Sequence, residues 1–283
     1  MAKVIRLTEN QFGEMMAYHG SGSDFDKFNH KKYLGKGAGS QTFGWGTYVT
    51  DDVAIANDYS KIPGDCTEQI KPLVEKAMKL YGGNEYFSVD DVCTDINSTI
   101  QTYRGNFKHI IDVYEHQLKK PSFSGQSMHI FYKIILYVVK RMTNIPSCLY
   151  EVDIPDDDGF NYISWYDDLT NEQLDIIHSK IDKFSKRYNK VDFNNFTEYS
   201  QGFARPNGGN SIYASLEYAF YIAGIDKQNS AKAASLFLMQ CGFDGIKYPA
   251  GTRWQKPDGA SENAMNYVIF DANKVKIVNK TKV

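Results

Sequence analysis

The chain has 283 residues, 42% apolar and 23% charged, with a formal net charge of -2. That is enough chain to bury a full core, and its composition excludes a disordered protein. The lack of a basic excess excludes a protein that lives by gripping long nucleic acid non-specifically, although "HKKYLGKG" leaves a local basic patch open.

In chain order, "MMAYHGS" and "GTYVTD" have strand residues bounded by turn formers. "DDVAIANDYS" reads as a helix with Asp51 or Asp52 as its N-cap. The middle of the chain is mainly helical: "TEQIKPLVEKAMKLYGG", "NFKHIIDVYEHQLKK" and "SMHIFYKIILYVVKRM" all carry helical spacing. "SCLYEVDIP" then alternates as a strand and "PDDDG" turns. Thr170 and Gln173 form a capping box that opens the helix "NEQLDIIHSKIDKFSKRY". "NSIYASLEYAFY" and "NSAKAASLFLMQCG" read as helices, and "FDGIKYP" and "NYVIFDANKVKIVN" as strands around a long polar loop. Strands at both ends with helices between predict one α+β domain over residues 1–283, with residues 61–145 as a helical insertion.

Cys66, Cys93, Cys148 and Cys241 are too widely spaced for a zinc or disulfide framework and read as buried, reduced thiols. His109, His116 and His129 have no ligand spacing around them, so no metal is expected. "GKGAGS" lacks the phosphate-loop pattern. The start has no signal-length apolar core, and the run from Ile130 to Val139 is too short to span a bilayer. The expectation is a cytoplasmic protein without membrane contact.

The densest chemistry lies between Tyr18 and Asp52. His19-Gly20-Ser21 leaves a strand, and Gly20 lets a ligand approach the backbone. Gly44-Trp45-Gly46-Thr47-Tyr48 leads into a second strand, with Tyr59 eleven residues beyond Tyr48. Backbone amide pairing beside two tyrosine faces suits a planar aromatic amide such as nicotinamide. Trp45 reads as a packing or rim aromatic.

This segment resembles the NAD-binding core of the poly(ADP-ribose) polymerase, or diphtheria-toxin-like, ADP-ribosyltransferases. Their pattern is His-Gly-Ser/Thr, then Gly-x-Gly-x-Tyr-Phe-(Ala/Thr)-Asp, then a helix ending Ala-x-Tyr, and later a strand Asn-Glu-Tyr-(Ile/Val)-Val-Tyr-Asp. Here the matching residues are His19 to Ser21, Gly44 to Asp51, Ala56 to Tyr59, and Met265 to Asp271. "LYEVDIPDDD", "NSIYASL" and "GFDGIKY" are similar to the ADP-ribosyltransferase domains of phage and mobile-element polyvalent proteins and related bacterial toxins.

The resemblance implies an ADP-ribosyltransferase fold, with a split, antiparallel-rich sheet and a helical insertion. It implies that His19 orients a ribose of NAD, that Gly20 pairs with the carboxamide, and that Tyr48 and Tyr59 sandwich the nicotinamide ring. Ser21, Gly46, Thr47 and Ala56 are the further expected NAD contacts. The motif does not fix the phosphate contacts; the diphosphate needs cations, and Arg253, in the loop before the final strand, ranks first, ahead of Lys31, Lys32, Lys36 and Arg205. Asn266 stands where the family has its catalytic Glu. It can accept a hydrogen bond but cannot act as a base, which points to single transfer rather than chain growth. Glu262 has the wrong offset to substitute. Ala56 stands where the family has a Ser.

The expected function is mono-ADP-ribosyl transfer from NAD, without a metal, to a protein or nucleic-acid acceptor. The setting implied is a bacterial or phage toxin or effector, with an antitoxin or inhibitor as a further partner. An NAD glycohydrolase and a non-catalytic NAD- or ADP-ribose-binding module are the alternatives from other classes.

Overall fold

A computed structural model of the chain describes residues 14–30, 41–120, 125–142, 147–187, 205–252 and 256–283. The chain opens with β1 (Glu14–Ser21), β2 (Thr47–Thr50) and α1 (Val53–Ser60). Four helices follow: α2 (Thr67–Tyr81), α3 (Val89–Thr102), α4 (Phe107–Lys119) and α5 (Gln126–Val139). Then come β3 (Cys148–Pro155), β4 (Tyr162–Ser164), α6 (Asn171–Arg187), α7 (Gly209–Ile222) and α8 (Lys227–Gln240). The chain closes with β5 (Gly245–Pro249), β6 (Met265–Ile269) and β7 (Lys276–Lys282).

The strands form one seven-stranded sheet in the order β4-β5-β6-β2-β1-β3-β7. β4 and β5 run parallel, and every other neighbouring pair is antiparallel. The protein is therefore a mixed α and β structure with a mostly antiparallel sheet. The run expected as one strand, "NYVIFDANKVKIVN", is two. Asp271 accepts the Asn273 N–H at 2.9 Å and starts a short 3-10 turn at Ala272–Lys274. Beyond it, β7 pairs with β3 at the edge of the sheet away from β5 and β6.

Two elements are additional to the sequence reading. One is α3, capped by Ser88, whose Oγ accepts the Asp91 N–H at 3.1 Å. The other is β4, three residues long.

Side chains alternate between the faces of a strand, and the clusters separate accordingly. One face carries Ile246, Tyr248 and Val268 beneath Ile212, Leu216, Phe237 and Leu238 of α7 and α8. The other carries Ala17, Val49, Tyr150, Val152 and Ile269 beneath Phe25 and Phe28. Helices α2 to α5 close on a core of their own, with Ile70, Ile96, Ile100, Ile110, Ile134 and Ile135 fully buried.

All four cysteines are free and buried, as expected. No helix among the described residues is long and apolar enough to cross a membrane.

Candidate functional site

β1 pairs with β3 along its length, from Glu14 opposite Pro155 to Ser21 opposite Cys148. With β2 it shares a single register pair, Tyr18 opposite Thr50. Beyond that pair the backbone ladder stops. His19 and Gly20 on β1 and Tyr48 on β2 lie at this gap in the ladder.

Alternation puts Gly20 on the face of Tyr18 and Thr50, the same face as Tyr48, Asn266 and Tyr248. A Cβ on Gly20 would stand 1.8 Å from the Ala56 carbonyl oxygen and 2.4 Å from the Ser60 nitrogen. The bare backbone expected to admit a ligand is thus already required by α1, which lies directly on β1 here. Ala56 is buried at this contact. Asp52 caps α1 by accepting the Ala54 and Ile55 N–H groups at 2.8 and 3.2 Å. Its second oxygen takes the Ser261 N–H at 2.7 Å, which ties the loop before β6 to the helix. Asp51 accepts the Met265 N–H at 2.8 Å, with its pKa raised by burial. Glu262 stays exposed on that loop.

The Tyr48 hydroxyl donates to the Gly44 carbonyl at 2.8 Å and accepts the Phe43 N–H at 3.1 Å. Its polar end is spent on the loop, and its ring is partly buried against the cluster beneath α7 and α8. Tyr59, on α1, is 44% exposed, and its phenol makes no hydrogen bond among the described residues. Burial raises the Tyr59 pKa, Arg104 pulls it down and Asp58 pushes it up.

His19 stands on the other face, opposite Tyr150 in the ladder and 5.1 Å from the ring of Phe28. Its side chain reaches the gap from behind: Nδ1 lies 2.7 Å from the Tyr48 carbonyl oxygen. A carbonyl only accepts, so Nδ1 carries the proton and Nε2 of the neutral ring holds a lone pair. Burial lowers the His19 pKa and the Tyr48 carbonyl opposes it, which keeps the ring neutral at pH 7. The structure therefore groups Tyr48, Tyr59 and Asn266 on one side of the sheet and joins His19 to them through the backbone of Tyr48.

The residue that sequence reasoning missed is Tyr248. It faces Asn266 directly across the β5–β6 ladder, so the two side chains leave the sheet side by side on one face. Tyr248 is buried, with its ring stacked on Phe43 at 3.8 Å and 13°. Its phenol is within electrostatic reach of Tyr48, Tyr59 and Tyr166, and burial lifts its pKa well above the ordinary tyrosine range. The alternation in "GIKYP" was the available signal. It puts Ile246 and Tyr248 on one face, but not beside β6.

The other expected contacts divide. Thr47 is buried on the His19 face, with Oγ1 2.7 Å from His30 Nε2. His30 is edge-on to Trp45 at 4.7 Å, and burial lowers its pKa to about 4. Ser21 Oγ accepts the Ser23 N–H at 3.1 Å. Gly46 packs against β6, where a Cβ would lie 2.5 Å from the Ile269 carbonyl oxygen. Arg253, Lys31, Lys32 and Lys36 lie outside the described residues. Arg205 donates from Nη1 to the Tyr166 carbonyl at 2.7 Å, while Arg104 pairs with Asp58 at 2.6 Å beside Tyr59. These two arginines reach the rim of the tyrosine group. Among the described residues no three His, Cys, Asp or Glu side chains are grouped to hold a metal ion. No family model, curated protein or solved structure matches the chain.

Proposed function

We propose that the protein transfers a single ADP-ribose unit from NAD to a macromolecular acceptor, protein or nucleic acid, releasing nicotinamide. The observation that carries this reading is the grouping of Tyr48, Tyr59 and Tyr248 around Asn266 beside the one-pair ladder of β1 and β2. The mostly antiparallel sheet is compatible with the ADP-ribosyltransferase fold that the motifs resemble.

In the proposed reaction the bond from the ribose anomeric carbon to the nicotinamide nitrogen breaks. The nitrogen keeps the electron pair, and neutral nicotinamide leaves. The acceptor nucleophile bonds to the same carbon and gives up its proton to solvent water. Positive charge develops on the ribose, so the site must hold the sugar and offer oxygen lone pairs. The rings of Tyr48 and Tyr59 hold the planar amide. His19, neutral and fixed by Tyr48, offers an Nε2 lone pair to a ribose hydroxyl. Asn266 offers its carbonyl oxygen to the nicotinamide ribose. It supplies no negative charge, so the transition state gains less than a carboxylate would give it.

The test is incubation of the purified chain with NAD labelled on the adenylate, with cell lysate as acceptor. Label should enter macromolecules in step with nicotinamide release, and protease or nuclease should then remove it according to the acceptor. Tyr48→Ala should reduce release by about a hundredfold or more, the scale of losing substrate positioning. Nicotinamide release without label transfer would favour the glycohydrolase, for which the exposure of Tyr59 to water argues. Neither release nor NAD binding would overturn the proposal.

A further inference from the structure

A carboxylate presents an acceptor whichever way it turns, but an amide presents an acceptor on one side and a donor on the other. An asparagine in a carboxylate's place therefore needs its orientation fixed, or half its rotamers offer the wrong group. Tyr248 is placed to fix it. It is the direct cross-strand partner of Asn266, so both side chains leave the sheet on one face. At 6% exposure, with its ring stacked on Phe43, its phenol cannot swing away. Burial raises the phenol's pKa and the Asn266 side chain opposes that shift, the sense given by an N–H aimed at the phenolic oxygen. On the opposite side of Asn266 stands Thr50, whose hydroxyl is committed to the Met265 carbonyl at 3.1 Å and does not compete.

We propose that Tyr248 is a positioning residue for Asn266: its buried phenol takes one amide N–H and so leaves Oδ1 turned away from it as the acceptor for a ribose hydroxyl. The role of that oxygen rests on the NAD reading; the fixing of the amide does not.

Tyr248→Phe keeps the ring and its stack and removes only the oxygen. In nitrogen–proton spectra of the free protein, the Asn266 side-chain amide, assigned by its loss in Asn266→Ala, should be displaced and slow to exchange with water. In Tyr248→Phe it should move to ordinary asparagine positions. The kcat for nicotinamide release should fall about tenfold with the KM for NAD unchanged, the loss of one hydrogen bond made in the transition state. In the Asn266→Ala background the same substitution should cost nothing further. An amide signal unchanged in Tyr248→Phe, or a rate loss just as large without Asn266, would overturn the inference. If the amide responds but the wild type neither binds NAD nor releases nicotinamide, the positioning role stands and the transferase reading falls.

Discussion

The α2–α5 region and the sheet around Tyr48 and Asn266 are built on different principles. The helical core is dominated by isoleucine, and its contacts have no direction. In and beside the sheet, buried or half-buried tyrosines spend their hydroxyls on backbone groups. Tyr150 donates to the Ser23 carbonyl and accepts the Phe25 N–H, both at 2.9 Å. Tyr213 accepts the Trp45 N–H at 3.0 Å and donates to the Ala231 carbonyl at 2.7 Å. Tyr48 does the same for residues 43 and 44. Each of these rings pins a loop that borders the site. An aliphatic core yields stability; tyrosines bonded to backbone yield loop position as well.

The comparison breaks most visibly at Gly20. Gly20→Ala drives a Cβ into the α1 backbone at 1.8 Å, and backbone cannot turn aside as a side chain can. The expected loss is about 4 kcal/mol, at the upper end for single substitutions, together with loss of nicotinamide release. Ile134→Ala in the helical region should cost about 3 kcal/mol through its cavity. The folded fraction should still turn over NAD at the wild-type rate. Urea midpoints and nicotinamide release, measured on both variants, check this. If Ile134→Ala lowers kcat while folded, the two regions are not separable in function.

What the sequence made legible is what is local. The capping box at Thr170 and Gln173 forms as read, with Gln173 Oε1 accepting the Thr170 N–H at 3.0 Å and Thr170 Oγ1 the Gln173 N–H at 3.2 Å. β3 alternates as its residues do. α3 escaped because polar residues crowd between its buried Val92, Cys93, Ile96 and Ile100. At three residues, β4 is too short to carry a period. In the site, the spacing of Tyr48 and Tyr59 could be read, but three facts could not. They are that His19 points to the opposite face, that β1 and β2 share one pair, and that Tyr248 lies beside Asn266. Each depends on strand order, which brings together residues far apart in the chain, and local pattern does not encode it.

Acid should act on the sheet before the helices. His30 has its folded pKa lowered to about 4 by burial, with Asp271 opposing and Lys232 reinforcing the shift. The unfolded chain takes up this proton near pH 6.5, and the folded chain waits until about 4. The contribution is fully present above pH 6.5, and it is lost as pH falls toward 4. His19, also lowered by burial, adds with the same sign. His109 and His116, on α4, are exposed. His30→Gln should flatten the fall in stability between pH 7 and 5 by about 1 kcal/mol, allowing for partial exposure. Urea midpoints at both pH values measure it. Parallel slopes in wild type and variant would remove His30 from the account.

The smallest expected effect lies where the two regions touch. Arg104 follows α3 at a φ of 49°, the one positive φ outside glycine among the described residues. It occupies the left-handed position of a helix-ending motif, in which Gly105 N–H bonds the Ile100 carbonyl and Arg104 N–H the Gln101 carbonyl, both at 2.9 Å. Glycine is the ordinary residue there, and arginine costs about 1 kcal/mol more. What the arginine adds is its pair with Asp58 on α1, next to Tyr59. That pair is half exposed on the Arg104 side and is worth less than about 1 kcal/mol. Arg104→Gly should therefore leave the urea midpoint nearly unchanged, because relief of the backbone offsets the lost pair and the freer unfolded chain. Arg104→Ala keeps the unfavourable backbone and loses the pair, so it should fall about 1 kcal/mol below Arg104→Gly. Both should raise the Tyr59 pKa in a spectroscopic titration, because the cation that lowers it is gone. If Tyr59 titrates unchanged in both, the helical region touches α1 without acting on the site, and the separation between the two regions is complete.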